Sequence, residues 1–259
     1  MLTDQDQRLN QANSEMLLLA TDTSGRSGSI ALARGDANGS CEVIEVVPLA
    51  GGTFSVQLVP QIAALLAKRG FSKHDIGAFA VASGPGSFTG LRIGLAAIKA
   101  LAEILQKPIA AVSLLEAVAI GAGRHGTVVA VLDAGRGEVY CGEYVVSGES
   151  ARVQTERLIK LEDFFAEAQR KQLPVLKTRN APIEQITTGE TTLATSDPSL
   201  AEAAQAAGLS LSLVEAIDAG AIASLGWRKI QTRKTVSPEQ LEANYIRRTD
   251  AEILAKVSC

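Results

Sequence analysis

A glycine-rich stretch at residues 83–94 has the composition best suited to binding chemistry, with the sequence Ser-Gly-Pro-Gly-Ser-Phe-Thr-Gly-Leu-Arg-Ile-Gly. It follows a short apolar run at residues 78–82 that predicts a buried strand, and Ser87 is well placed to cap the helix that follows. Backbone N–H groups in such a turn, aided by the helix dipole, can hold a phosphate or a carboxylate. Gly84, Gly86 and Ser87 are therefore candidates for a nucleotide-binding site.

The same glycines also have a purely structural interpretation. Neither of the usual phosphate-binding patterns, Gly-x-x-x-x-Gly-Lys-Ser/Thr and Gly-x-Gly-x-x-Gly, occurs in this stretch. Gly84 and Gly86 would then serve a tight turn, while Gly90 and Gly94 would let another element pack closely. Spacing alone does not separate the two interpretations.

Two aspartates follow apolar strands in similar contexts. Residues 16–30 and 127–140 each contain an apolar strand, an Asp, small residues, a Gly and Arg pair and a second strand. Asp22 matches Asp133, and this self-similarity predicts a duplicated fold. Such a pair of hairpins resembles the actin, hexokinase and Hsp70 superfamily, in which carboxylates position hydrated magnesium beside nucleotide phosphates. The candidate nucleotide-binding residues in the two hairpins are Asp22, Thr23, Ser24, Asp133 and Gly135.

Several details indicate that any such site is degenerate. The glycine usually found two places after the first Asp is missing from Asp22-Thr23-Ser24, although Gly135 supplies it in the second hairpin. The late segment 186–190, where an adenosine site would need a glycine pair, has one glycine. We therefore expect weak nucleotide binding, and we interpret Asp22 and Asp133 as acceptors of backbone hydrogen bonds in their own turns.

Histidine content argues against a metallopeptidase. The two histidines, His74 and His125, lie in a polar turn and a glycine-rich loop, and no His-x-x-x-His pair occurs. Neither a Gly-x-Ser-x-Gly elbow nor a paired Cys and His indicates nucleophilic catalysis. We predict no catalytic residue and no metal ligand in this chain.

Composition places the chain among ordinary globular proteins. Its 259 residues carry a net charge of -3, which argues against broad, unassisted nucleic-acid binding. The three widely spaced cysteines predict free thiols in a reducing cytoplasm. No stretch has the length of a membrane span, and residues 1–15 read as a flexible polar tail rather than a signal peptide.

The order of elements predicts an α/β protein. A strand meander is followed by a helix at residues 53–68, the strand at 78–82, a helix at 88–106 and a strand at 108–112. With the duplication, this predicts an N-terminal lobe at residues 16–112 and a C-terminal lobe at 113–259. The expected fold is duplicated and two-lobed, of the actin, hexokinase and Hsp70 type (ribonuclease H-like).

The predicted helix at residues 88–106 has two apolar stripes, although a single stripe would be enough to pack it on a sheet. The second stripe contains Ile93, Ala97, Leu101 and Ile104. It indicates close contact with another helix, either within the chain or on a partner.

Three segments together make a closer resemblance. The segment 19–24, the glycine-rich stretch and the late segment 241–252, with its Tyr-x-Arg at Tyr245, are similar to the TsaB (YeaZ) family. That family is the non-catalytic subunit of the bacterial machinery that places threonylcarbamoyl on adenosine 37 of tRNA. The resemblance covers roughly residues 16–252.

The resemblance implies an obligatory partner, the TsaD-like paralogue, which holds metal and nucleotide and transfers threonylcarbamoyl. It further implies docking of a TsaE-like ATPase, contact with tRNA through the complex, homodimers when the chain is alone, and no cofactor bound tightly by this chain. Partner contact would use the two first-lobe helices. The residues expected there are Leu58, Ile62, Leu65, Phe88, Gly90, Leu91, Gly94, Leu95, Ala97 and Ile98.

The chain departs from the family pattern at two places. Phe54-Ser55-Val56 stands where many relatives carry His-Ser-Glu, and Ala243 stands where a proline is common. Both departures put the affinity for a partner in doubt. The alternative function is an independent small-molecule kinase or ATPase of the actin-like fold.

Overall fold

A computed structural model describes residues 15–171 and 191–246. The chain divides into two compact units. Unit 1 comprises the described residues up to Ser113 together with Ile217–Ala243, and unit 2 comprises Leu114–Ala216 and the described residues from Asn244 onward.

Each unit is built from short α/β elements. The strands are β1 (Met16–Asp22), β2 (Gly28–Gly35), β3 (Cys41–Leu49), β4 (Ile76–Gly84), β5 (Ile109–Ser113), β6 (Gly126–Gly135), β7 (Glu138–Ser147), β8 (Ser150–Lys160), β9 (Thr192–Thr195) and β10 (Ser212–Leu213). The helices are α1 (Phe54–Lys68), α2 (Phe88–Leu105), α3 (Leu114–Gly121), α4 (Leu161–Arg170), α5 (Pro198–Ala206) and α6 (Ala219–Gln231), with a short 3-10 helix at Lys73–Asp75.

Unit 1 has one five-stranded mixed sheet with the order β3-β2-β1-β4-β5. The first three strands form an antiparallel meander, and β1, β4 and β5 run parallel. Helices α1 and α2 bury one apolar side each in a core that includes Leu19, Phe79 and Val81 of the sheet. Because β1 and β4 are covered on both faces, their sequences are apolar at nearly every position.

Unit 2 repeats this arrangement. Its five-stranded sheet has the order β10-β9-β6-β7-β8, with β6, β7 and β8 antiparallel and β6, β9 and β10 parallel. Helices α4 and α5 contribute to a core with Val131, Cys141 and Leu193 of the sheet. Counted from its other edge, this sheet has the order β8-β7-β6-β9-β10, which repeats the order of the first sheet. The repeat confirms the predicted duplication and the two-lobed α/β fold of the actin, hexokinase and Hsp70 type.

The predicted C-terminal lobe at residues 113–259 is not a single unit, because Ile217–Ala243 belong to unit 1. Helix α6 belongs to unit 1 and not to the second unit. Its Trp227 ring lies so close to β2 that a Cβ built on Gly35 would be 2.2 Å from it, and a Cβ on Gly226 would be 2.4 Å from that of Ala80. These close contacts bury one face of α6 on the first sheet. The sequence contained no signal that this late helix belongs to unit 1.

Some predictions lie outside the described residues: the tail before Glu15, the segment 186–190 and Cys259. Cys41 and Cys141 are free thiols, as predicted. Within the described ranges, no helix is long and apolar enough to cross a membrane.

Candidate functional site

The candidate site lies where β1 ends and α2 begins. Asp22 closes a turn there, because its Oδ1 accepts hydrogen bonds from the Ser24 backbone N at 2.9 Å and from the Ser24 Oγ at 2.6 Å. Asp22 is only 7% exposed. Burial raises the pKa of its carboxyl, the bonds from Ser24 oppose this, and nearby Asp218 raises the pKa further.

The glycine-rich stretch meets this turn directly. After the cis peptide bond between Gly84 and Pro85, the Ser87 backbone N donates to the Ser24 carbonyl at 2.7 Å. The Ser87 Oγ accepts from the Gly90 backbone N at 3.3 Å, so Ser87 caps α2 as predicted. The helix therefore starts from a point fixed by the β1 turn.

Thr23 packs against the first turns of α2. Its Oγ1 donates a buried hydrogen bond to the Gly90 carbonyl at 2.8 Å. A Cβ built on Gly90 would be 2.0 Å from the Thr23 carbonyl oxygen, and one on Gly94 would be 2.3 Å from Thr23 Oγ1. A Cβ on Gly86 would similarly be 2.5 Å from the Ser24 carbonyl oxygen. Glycine is required at these three positions because the chain itself fills the space, which confirms the structural interpretation of the motif.

The structure thus brings together the six unit 1 candidates for a nucleotide site, and hydrogen bonds join Asp22 to Ser24 and Ser24 to Ser87. Gly84 has a φ of 109°, which only glycine adopts readily. The Asp22 carboxylate is engaged with Ser24 and sits in surroundings that disfavour its charge. The six residues are Asp22, Thr23, Ser24, Gly84, Gly86 and Ser87.

The remaining two candidates lie in unit 2, at the turn between β6 and β7. The Gly135 backbone N donates to Asp133 Oδ1 at 2.9 Å, the same bond over the same spacing as in the Asp22 turn. Both aspartates therefore accept backbone hydrogen bonds in their own turns, as interpreted from the sequence.

Both histidines lie on the surface, as expected for loop residues. His74 is exposed in the 3-10 helix, and His125 is exposed with its Nδ1 accepting from the Gly148 backbone N at 3.1 Å. In the part of the chain that the structure describes, no three His, Cys, Asp or Glu residues lie close enough to hold a metal ion.

Most residues expected to contact a partner are instead buried in the chain's own core. Leu58, Leu91 and Ile98 are each at most 1% exposed, and Gly90 and Gly94 face the Thr23 turn. These side chains bind α1 and α2 to the first sheet and cannot touch another protein while the unit is folded, so this part of the prediction is corrected. The same holds for Ile62, Leu65 and Leu95, whereas Ala97 is half-buried and Phe88 is exposed.

The opposite side of the two helices is exposed and carries several apolar side chains among polar and charged ones. We call this side the outer face; it comprises Val56, Val59, Pro60, Ala63 and Ala67 of α1 and Phe88, Ala96, Ala100 and Ile104 of α2. Val56 is 69% exposed and Ile104 is 71% exposed. The Arg92 guanidinium lies 3.9 Å from the centroid of the Phe88 ring, a cation–π contact. Of the second apolar stripe of α2, only Ile104 lies on this face; Ile93, Ala97 and Leu101 are partly buried against the core of unit 1.

The two departures from the family pattern have different surroundings. Phe54 is buried, and its ring lies 2.9 Å from a Cβ built on Gly28, so it fills space beneath the first hairpin. Val56 extends the outer face with an exposed apolar side chain. Ala243 packs against the core of unit 1.

Comparison with known proteins agrees with this architecture. A family model described as "TsaD: tRNA N6-adenosine threonylcarbamoyltransferase" matches residues 46–253. The chain is 37% identical over 164 residues to the tRNA threonylcarbamoyladenosine biosynthesis protein TsaB of Bacillus subtilis, an alignment that covers 62% of this chain and 69% of that protein. It is 38% identical over 133 residues to TsaB of Escherichia coli, covering 50% of this chain and about half, 55%, of that protein's length.

A solved structure supports the same assignment. YeaZ from Pseudomonas aeruginosa superposes with a TM-score of 0.62 at 26% identity, covering 88% of this chain and 99% of that one. The family model matches most of the chain, and the Bacillus relative shares more than a third of the aligned residues. The chain therefore belongs to the TsaD-like family and, within it, to the TsaB (YeaZ) branch.

Proposed function

We propose that the chain is a scaffold and activating subunit in tRNA threonylcarbamoyladenosine biosynthesis. It pairs with a TsaD-like catalytic paralogue, which transfers threonylcarbamoyl to adenosine 37 of tRNA. Membership of the TsaB branch supports the pathway. The observation that carries the pairing is the outer face, where two helices in contact with each other expose several apolar side chains.

The chemistry of the outer face suits a protein partner. Exposed apolar side chains on neighbouring helices gain free energy when another apolar surface covers them. Small residues such as Ala96 and Ala100 let a partner helix approach closely, and Phe88 with Arg92 provides an aromatic and cationic anchor of the kind enriched at interface hot spots. In the absence of the paralogue, the same face would join two copies of this chain.

Nucleotide and metal belong, in this proposal, to the partner subunits, a TsaD-like transferase and a TsaE-like ATPase. The Asp22 carboxylate is committed to its own turn, which does not favour the kinase or ATPase alternative for the isolated chain. Contact with tRNA would come through the complex, in keeping with a net charge of -3 for this chain. We also propose a cytoplasmic location, which a role in tRNA modification would require.

Reconstitution tests the function. Threonylcarbamoyl transfer to tRNA is measured with purified TsaD-like and TsaE-like proteins of the same organism, ATP, magnesium and the threonylcarbamoyl adenylate precursor system, with and without this chain. We expect transfer to depend on the chain and to be lost with Ile104→Glu. Val153→Glu, which places the same charge on an exposed strand of unit 2, is the matched control.

Full transfer without the chain would contradict an activating role. Magnesium-dependent ATP turnover by the isolated chain would instead support the kinase or ATPase alternative.

A further inference from the structure

We propose that Thr23 is a positioning residue that fixes the first turns of α2, and with them Phe88 of the outer face and the Arg92 side chain stacked on it. This inference rests on the proposed function, because the affinity for the paralogue is the property that it concerns. The residues that could have formed a nucleotide site would thus serve the interface.

The attachment has two hydrogen bonds separated by about one helical turn. Ser24 accepts from the Ser87 backbone N at 2.7 Å, and Thr23 Oγ1 donates to the Gly90 carbonyl at 2.8 Å. Ser87 and Gly90 are three residues apart, which corresponds to roughly 4.5 Å along the helix axis. Two bonds at different heights fix both the position of the helix start and its rotation.

The attached groups are themselves rigid. Thr23 is 3% exposed and Ser24 is 6% exposed, and the Asp22 carboxylate holds the Ser24 backbone and hydroxyl in place. Gly94 adds a steric contact, since a Cβ there would be 2.3 Å from Thr23 Oγ1. The start of α2 therefore cannot shift unless the β1 turn shifts with it.

The outer face is coupled to this attachment through α2 itself. Phe88 lies between the two attached residues, Ser87 and Gly90, and Arg92 lies between Gly90 and Gly94. The Arg92 guanidinium stacks on the Phe88 ring, so both side chains move as one with the first turns of the helix. A displacement at Thr23 consequently changes the surface that a partner meets.

The hydroxyl of Thr23 is required for the close approach. In Thr23→Val a methyl group replaces Oγ1 at 2.8 Å from the Gly90 carbonyl oxygen, whereas carbon and oxygen atoms in contact are about 3.3–3.6 Å apart. The helix start would therefore move away from the turn by roughly half an ångström. Thr23→Ser keeps the hydroxyl and should keep the position.

The test uses the full chain and its TsaD-like paralogue, with two readouts. Hydrogen exchange of the isolated chain follows the amides of residues 87–94, and calorimetry gives the dissociation constant of the complex. For Thr23→Ala we expect faster exchange confined to that segment and roughly fivefold weaker binding, with Thr23→Val weaker still. Thr23→Ser should restore both values.

Thr195→Val in unit 2 is the matched control. Thr195 is fully buried, and its Oγ1 accepts from the Asp197 backbone N at 3.1 Å, so the variant also loses a buried hydroxyl. At an equal loss of melting temperature, Thr195→Val should leave binding unchanged. If Thr23 merely stabilised the fold, the two variants would weaken binding equally.

The outcomes separate the inference from the proposed function. If the wild-type chain binds the paralogue and Thr23→Ala and Thr23→Val bind it with the same affinity, the inference alone is overturned. The same holds if Thr195→Val weakens binding as much as the Thr23 variants do. A wild-type chain that does not bind the paralogue overturns the proposed function and the coupling that rests on it.

Discussion

Thr23 and Gly94 are in such close contact that no side chain larger than hydrogen fits at position 94. A Cβ built there would lie 2.3 Å from Thr23 Oγ1 and 3.5 Å from Thr23 Cβ. The glycines of this motif are therefore needed because the turn after β1 packs directly against α2.

Gly94→Ala should destabilise unit 1 by about 1–3 kcal/mol, because overpacking forces the turn and the helix apart. Adding Thr23→Ala should recover part of this loss, since the nearest remaining atom, the Cβ of residue 23, would be at an ordinary contact distance of 3.5 Å. Denaturant unfolding of the single and double variants measures the coupling. Gly121→Ala is the control, because its Cβ would meet nothing nearer than 3.6 Å; strictly additive effects of the first pair would contradict the contact.

The outer face gives a second prediction. Val56→Glu and Ile104→Glu should each weaken binding to the TsaD-like paralogue by roughly tenfold or more while leaving the melting temperature nearly unchanged, since both side chains are mostly exposed. Leu91→Glu should unfold the chain instead, because Leu91 is 1% exposed. Binding assays paired with thermal melts separate the two effects, and undiminished binding by both surface variants would place the interface elsewhere.

The burial of Asp22 predicts a pH dependence of stability. Its pKa is raised above 3.8 in the folded chain, so the folded state holds a proton there more tightly than the unfolded state. The stability contributed by the protonated form is complete below about pH 4 and is lost as the pH rises through the folded-state pKa. Asp22→Asn stays neutral and can still accept the Ser24 backbone bond.

The melting temperature of Asp22→Asn relative to wild type should therefore rise from about pH 4 to about pH 7. Asp133→Asn, which alters the corresponding turn of unit 2 at an exposed site, is measured in parallel. A relative melting temperature for Asp22→Asn that stayed flat or fell over this range would contradict the assigned burial of charge.

Cys141 offers a local probe of unit 2. Burial raises its pKa to about 11, with nearby Arg157 opposing the shift, and the residue is 5% exposed. We expect iodoacetamide at about pH 8 to leave Cys141 unmodified in the folded chain and to modify it on unfolding. Mass spectrometry of peptides reads this out, and rapid labelling under native conditions would show that the second core opens.

Much of the fold follows from local sequence. The apolar run of β4, the cap at Ser87 and the repeated Asp turns are short-range patterns, and each was predictable. The placement of α6 on the first sheet was not, because it depends on long-range fits such as Trp227 over Gly35. An apolar helix position does not reveal which neighbour buries it. The family resemblance implies partner contact for Leu91 and Ile98, whereas the sheet of unit 1 covers them.

The most direct test of the central claim is size-exclusion chromatography of the purified chain with the TsaD-like protein of the same organism, with and without ATP and magnesium. The proposed pairing predicts a mixed complex that elutes before either protein alone and that Ile104→Glu disrupts while Val153→Glu does not. Two separate peaks under all conditions would contradict the pairing and, with it, the role of this chain as a scaffold subunit.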